Sequence, residues 1–447
     1  MKKKDITITI GLTVILFLLV VMLGGCAKEL PLEIATDLDM IETQHQQNIE
    51  LLETEPDTVI EICEDTQVAE IQVEMPMNFS KEEIRTHILD FSTELFQHSV
   101  KKEQNTLISP ISVMMTLSMM GNGAEGETLA ELEHVFGTSI QELDIYFWEY
   151  QRNLAKGEEY QLHIANSVWI NNNNRFSVNK NFIRENENYY YSGIYETNFS
   201  EKTVQHINQW VEQNTDGMIK NIISEIPESA MMYLINALAF DAKWQMPYQE
   251  YNIKKDIFTK ENGETQEVSF MHSTEGELLE DENTIGFVKP YKDGKYEFVA
   301  LLPKEERSIE QYISTLSAEK ITNLLTNKKS VTVNASLPKF KNECTFDMIG
   351  ILEKMGVKEA FDVEKADLSE IGSYDNLNLY IDSVTHKTYI SVAEQGTKAG
   401  AVTAIEVGAE RAVKEREQVR LNRPFVYIII DCEEQLPLFM GVVTEIE

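Results

Sequence analysis

Cysteine is scarce: four occur in 447 residues, at Cys26, Cys63, Cys344 and Cys432. Their wide spacing excludes a disulfide framework and shows no metal-ligand pattern. Cys63, Cys344 and Cys432 are read as structural thiols with no obligatory disulfide. Basic residues are also few. Against 74 Asp and Glu there are 39 Lys and Arg, leaving a formal charge of −35. Such a field repels phosphate backbones, so a nucleic-acid partner is not expected. Catalytic signatures are missing as well: no GxSxG elbow, no HExxH, no Walker loop and no SxxK set in a fitting context. With eight His and many Ser and Asp, counting alone does not exclude a triad. No enzyme signal emerges, however, and no cofactor is implied. The GxGxxG at Gly121 to Gly126 follows a predicted helix rather than a strand. It reads as a glycine-rich turn joining two helices, not a dinucleotide fingerprint.

What is present is a globular composition, 43% hydrophobic and 25% charged, on a chain long enough for a large core. The first 26 residues are set apart. Lys2, Lys3 and Lys4 precede an apolar stretch from Ile6 to Leu23, followed by Leu23-Gly24-Gly25-Cys26. This resembles a bacterial lipobox, in which Cys26 is lipidated and becomes the mature N-terminus. The alternative is a single transmembrane anchor. Either reading places the rest of the chain outside the cytoplasm, and two acyl chains would hold it stably on a membrane. Residues 27–78 are acidic, almost without basic residues and without glycine beyond the leader. They read as a flexible tether.

The folded domain is expected from about Phe79 to the end. Lys81 to Val100 has helical spacing, with Ile84, Ile88, Phe91 and Leu95 on one face. Pro110 suits a helix start with Ser109 as its cap, and the Met-rich stretch to Met120 reads as a buried helix. Val204 to Ile223 is a further predicted helix. Strands are expected at Ile164–Ile170, Met231–Trp244, Thr284–Lys289, Phe298–Leu302, Ser330–Leu337 and Lys387–Val392. The C-terminus reads as a hairpin turning at Glu433-Glu434. Early helices, later strands and no βαβ rhythm predict an α+β domain with large antiparallel or mixed sheets.

One stretch fits no ordinary element: EQGTKAGAVTAIEVGAERAVKERE, from Glu394 to Glu417. At period two from Thr397, one face is Thr397, Ala399, Ala401, Thr403, Ile405 and Val407. That face holds no charge and no proline. The other carries Lys398, Gly400, Val402, Ala404 and Glu406, which would see water. A flexible loop with some β character and a strand held in reserve are both open readings.

Several motifs, taken in order, resemble the serpin family over roughly Phe79 to Glu447. NTLISPIS with GNGAEGET resembles its N-terminal helix-turn motif through Asn105, Ser109, Pro110, Ser112, Gly123 and Thr128. INQWVEQNTDGMI and INALAFDAKW resemble a family helix and strand, the latter with Asn236, Lys243 and Trp244 in register. LPKF and MGVKEAFDVEKADLSEI match through Leu337, Pro338, Lys339, Phe361, Asp367 and Leu368. RPFVYIII and PLFMGVV resemble the terminal strands.

The resemblance implies helices around three β-sheets, a large central sheet, and an exposed reactive-centre loop at about 394–420. It implies a suicide substrate: a serine protease cleaves the loop, forms an acyl-enzyme, and is trapped as the loop inserts into the central sheet. Glu394, Gly396, Thr397, Ala399, Gly400 and Ala401 resemble an inhibitory hinge. Ser109, Ser112, Asn236 and His386 resemble the hydrogen-bonded shutter beneath the opening sheet. Trp244 resembles the breach tryptophan, and Lys339 would pair with Glu394. The bland roles of these residues are a cap, core polar groups, a core aromatic and a surface ion pair. Family spacing places the scissile bond at Glu410-Arg411, suiting a glutamate-cleaving protease. A shift to Arg411 would suit a trypsin-like enzyme, and a shift to Ala409 an elastase- or subtilisin-like one. A monomer is expected, with no cofactor and no metal. The alternatives are a non-inhibitory serpin for binding or storage and, from the leader alone, a substrate-binding surface lipoprotein.

Overall fold

The computed structural model describes residues 59–61, 79–154, 160–172, 175–227, 230–304, 307–375, 377–397 and 417–446. The leader, Cys26, Cys63 and most of the predicted tether lie outside them. So do Ala399, Gly400, Ala401, Glu410 and Arg411.

Amphipathic spacing and caps set the helices. They are α1 (Lys81–Ser99), α2 (Pro110–Gly121), α3 (Gly126–Phe136), α4 (Ile140–Arg152), α5 (Lys180–Tyr190), α6 (Glu201–Asn214), α7 (Ile309–Ile313), α8 (Ala318–Thr326) and α9 (Ile349–Met355). Ser80 starts α1 by accepting from the Glu83 N–H at 3.3 Å. Helix α2 is buried nearly all round, Met114, Met115, Met119 and Met120 included. Residues 122–125 form the turn between α2 and α3, with Gly121 and Gly126 at the helix ends. Helix α6 stops earlier than the expected Ile223. The Thr215 hydroxyl donates back to the Val211 carbonyl at 2.7 Å and accepts from the Ile219 N–H at 3.1 Å. Asp216 and Gly217 then take positive φ, which ends the helix.

In chain order the strands are β1 (Ile60–Glu61), β2 (Thr106–Ile108), β3 (Tyr160–Asn171), β4 (Phe176–Val178), β5 (Gly193–Thr197), β6 (Met232–Lys243), β7 (Ile253–Thr259), β8 (Thr265–Glu280), β9 (Thr284–Pro290), β10 (Tyr296–Pro303), β11 (Lys329–Pro338), β12 (Phe340–Asp347), β13 (Gly372–Tyr374), β14 (Thr385–Val392), β15 (Gly396–Thr397), β16 (Glu417–Arg420), β17 (Phe425–Asp431) and β18 (Leu436–Val443). They form three sheets, as the resemblance implies. A seven-stranded sheet runs β1-β5-β3-β6-β15-β14-β12. A nine-stranded sheet runs β16-β11-β8-β9-β10-β17-β18-β2, with β7 on β8, and β13 pairs with β4. Among the described residues only β3–β5 and β11–β16 pair in parallel. The terminal hairpin β17–β18 is wholly buried, and α2 packs between it and β6. Strand β1 falls within the stretch read as tether, yet it pairs antiparallel with β5, so the folded unit takes in residues upstream of Phe79.

Candidate functional site

The Glu394–Thr397 segment begins a strand that has neighbours on both sides. Thr397 pairs with Val392 of β14, while Gly396 and Thr397 pair with Lys243 and Ala242 of β6. Both ladders are antiparallel, so β6 and β14 run parallel to each other. A strand lengthening β15 would therefore be antiparallel to both, the more stable ladder. Gly396 is required here: a Cβ would lie 2.0 Å from the Ala242 carbonyl oxygen. Thr397 is buried, and its hydroxyl shares a 2.5 Å hydrogen bond with the Tyr291 hydroxyl. Thr397 thus points inward; the residues that follow it in the period-two reading lie outside the described residues.

At the top of this slot sits Trp244, fully buried and stacked on Tyr291 with centroids 4.4 Å apart and Phe298 edge-on at 5.8 Å. Its indole N–H donates to the Ala393 carbonyl and its backbone N–H to the Gln395 carbonyl, both at 2.8 Å. The Tyr248 N–H donates to the Glu394 carbonyl at 2.9 Å. Lys339 Nζ pairs with the Glu394 carboxylate, as expected. Partial burial raises the Glu394 pKa, but the Lys339 ammonium outweighs it and holds the carboxyl below its usual range. The breach residues therefore converge on the turn that feeds the slot.

Lower down, the shutter residues meet in two groups. The Ser112 hydroxyl donates to Asn236 Oδ1, and Asn236 Nδ2 donates to Asn166 Oδ1 at 2.6 Å. Asn166 Nδ2 donates in turn to the Tyr190 carbonyl at 2.7 Å. Across the slot, His386 Nε2 accepts from the Ser109 backbone N–H at 3.0 Å, which puts the ring proton on Nδ1. Burial pushes the His386 pKa down to about 4. Ser109 occupies the N-cap position of α2, but its side chain does not cap the helix, contrary to expectation. Its buried Oγ has no partner among the described residues. Asn236 lies on β6 and His386 on β14, and no hydrogen bond joins them among those residues.

Asn166 is a site residue that the motifs did not flag. The available signal was a lone amide in the apolar strand IANSVWI. The outward side of the slot is also drier than expected. Helix α6 covers part of it, with Ile207, Trp210 and Val211 packed on Ala165, Trp169, Ile235 and Ala237. Beside it a cleft of about 220 Å³ opens between Met218–Asn221 and Glu343, Lys387 and Tyr389. No group of His, Cys, Asp and Glu among the described residues is arranged to hold a metal ion.

Fold and site together define a three-sheet α+β protein in which the two-residue strand β15 lies between β6 and β14 of the seven-stranded sheet. The chain belongs to the serpin family, since the family model for Serpin (serine protease inhibitor) matches residues 86–446. An uncharacterized serpin-like protein of Thermococcus kodakarensis is 31% identical over 366 residues, covering 79% of this chain and 84% of its own. The native-state crystal structure of the thermophilic serpin tengpin is 44% identical, with a TM-score of 0.79, covering 83% of this chain and 96% of its own. Tengpin in its latent state matches at a TM-score of 0.74 over 83% of this chain and 100% of its own.

Proposed function

We propose that this protein is a membrane-tethered, extracytoplasmic inhibitor of a serine protease that acts by strand insertion. The observation that carries the reading is β15, whose Gly396 pairs with β6 and whose Thr397 pairs with both β6 and β14. Continuing that register sets Ala399 between Phe240 and Ile390, and Ala401 between Leu238 and Thr388. Thr403 then arrives between Asn236 and His386. The small inward side chains fit these neighbours, and Thr403 brings a hydroxyl to the two unjoined halves of the shutter. On the outward side, Gly400 and Val402 come opposite Tyr389 and Lys387, which line the 220 Å³ cleft.

In the proposed reaction a protease serine attacks the carbonyl of Glu410. The Glu410–Arg411 bond breaks, Arg411 leaves as a new amino terminus, and an ester joins Glu410 to the enzyme. Residues 398–407 then enter the slot and add ladders to β6 and β14, each hydrogen bond worth about 0.5–1.5 kcal/mol net. The tethered enzyme is carried along and its deacylation stalls. Before cleavage the protein persists behind a kinetic barrier. Cys26 anchors it to the outer face of a bacterial membrane through residues 27–78.

The test incubates the soluble domain with glutamate-specific, trypsin-like, elastase-like and subtilisin-like proteases, followed by denaturing gels. A denaturation-resistant complex is expected, and mass spectrometry of the released C-terminal peptide identifies the scissile bond. Cleavage without a complex, and without a gain in thermal stability, would leave the second reading, a non-inhibitory serpin. Labelling of Cys26 by a fatty-acid analogue tests the anchor.

A further inference from the structure

Beneath the breach lies a charge pair that the trap does not obviously need. Lys289 of β9 and Glu275 of β8 are 1% and 7% exposed, with Nζ 2.8 Å from the Glu275 carboxylate. The same Nζ donates to the Met246 carbonyl at 3.2 Å and lies 4.3 Å from the centre of the Tyr248 ring. Glu275 also accepts from the Ser273 hydroxyl at 2.5 Å. Taking both charges out of water is costly, and an apolar pair of similar size is often as stable or more so. Fold stability alone therefore does not account for the pair.

Its contacts point to another role. Lys289 fixes the short segment from Trp244 to Tyr248 from below, at the Met246 carbonyl. That segment's upper side supplies the N–H groups of Trp244 and Tyr248 to the carbonyls of Gln395 and Glu394. Gln245 N–H donates to the carbonyl of Pro290, next to Lys289, at 3.0 Å. The hinge turn thus takes backbone hydrogen bonds from a segment that the buried ammonium contacts at its Met246 carbonyl.

We propose that Lys289 and Glu275 are a positioning pair for loop insertion, holding the Trp244–Tyr248 segment as the fixed edge from which the incoming strand zips. The pair touches neither protease nor scissile bond. It acts through the donors that hold Glu394 and Gln395, and this inference rests on the inhibitory reading above. Insertion competes with hydrolysis of the ester, so a slacker edge yields more cleaved, unproductive serpin per enzyme trapped.

The experiment compares the wild-type domain with Lys289→Met and with the double variant Lys289→Met/Glu275→Met, against whichever protease gives a complex. Stoichiometry of inhibition and urea stability are read together. The single variant leaves Glu275 buried and unpaired, so it loses stability. The double variant restores a neutral interior and recovers stability. Both lack the donor to Met246, so both insert more slowly, by about ten-fold for one charged hydrogen bond, and their stoichiometry rises. Recovery of stability and of wild-type stoichiometry together in the double variant would show a merely structural pair and overturn the inference. An unchanged stoichiometry in the single variant overturns it too. If the wild-type protein itself traps no protease, the inhibitory reading fails first and takes the inference with it.

Discussion

The breach and the shutter are two stations along one slot, and their chemistry differs. At the breach the sheet has already closed around β15. Trp244 is stacked and both its N–H groups are engaged, Thr397 is bonded to Tyr291, and Glu394 is paired with Lys339. At the shutter the polar groups are bonded within each side of the slot, and among the described residues no side-chain hydrogen bond joins Asn236 to His386 across it. One buried hydroxyl, on Ser109, has no partner among the described residues. A buried group left unpaired costs about 1–3 kcal/mol. The contrast teaches that one end of the slot is held by backbone donors and an aromatic stack, while the polar side chains farther down are bonded in two separate groups. Neither station is fully satisfied, since the Tyr248 hydroxyl at the breach and the Ser109 hydroxyl at the shutter are both buried without a hydrogen-bond partner among the described residues; under the proposed trap, an inserted strand would bring a hydroxyl to the second.

The sharpest way to break that contrast is to send the wrong side chain to the shutter. Thr403→Arg would carry a charge between Asn236 and His386, where an unpaired buried charge costs several kcal/mol. The expected result is normal folding before cleavage and full loss of the denaturation-resistant complex afterwards. Cleaved protein should show no rise in melting temperature. A variant that still traps protease would refute the register drawn from β15.

At the breach the equivalent change is Trp244→Ala. It removes a fully buried ring from the Tyr291–Phe298 stack and the indole donor to the Ala393 carbonyl, while the backbone N–H to Gln395 remains. A loss of about 3–5 kcal/mol in urea unfolding is expected, as for other buried aromatics. A loss under about 1 kcal/mol would mean that the aromatic stack anchors little.

The shutter's second test is pH. His386 is held neutral in the folded protein, with its pKa down at about 4 against 6.5 for the free side chain. Between those values the unfolded chain binds a proton that the folded one refuses, so stability is full above about pH 6.5 and falls as pH drops toward 4. The loss reaches about 3 kcal/mol at most. In His386→Gln the slope of unfolding free energy over this window should flatten. An unaltered slope would assign the acid sensitivity to other groups.

How much of this was legible beforehand depends on where each residue's partner lies. Helix α2, strand β6 and the terminal hairpin could be read because periodicity and turn residues are local signals. Trp244, Lys339 and Glu394 could be read from family-like motifs, and the structure brings them together. Of the two readings of Ser109, the cap fails because capping is a local rule, whereas its N–H serves His386, its partner in the shutter reading, on a distant strand. Asn166, Lys289 and Glu275 gave no motif. A polar residue in a strand reads as ordinary outward alternation until its partner across the sheet is known. Strand β1 is described over two residues, too few for a period-two signal, and it pairs with the β5 edge. The overshoot of α6 has a similar cause: Ile219 and Ile223 keep the helical spacing, but a side-chain bond from Thr215 and two positive φ values outweigh it.

The smallest expected effect separates anchoring by packing from anchoring by charge within the breach itself. Lys339 and Glu394 form an ion pair with side chains each 32% exposed, so water screens it and holding two long side chains offsets much of the gain. Lys339→Ala should therefore cost no more than about 1 kcal/mol, far below the loss expected for Trp244→Ala. The Glu394 carboxyl, held below its usual range by that ammonium, gives a contribution present at neutral pH and lost as pH falls below the carboxylate range. In Lys339→Ala this small acid-side term should vanish, while the complex with protease survives because Trp244 and Tyr248 still hold the hinge carbonyls. If Lys339→Ala instead abolished the trap, the hinge would hang on the ion pair, and the backbone donors of the Trp244–Tyr248 segment would be secondary.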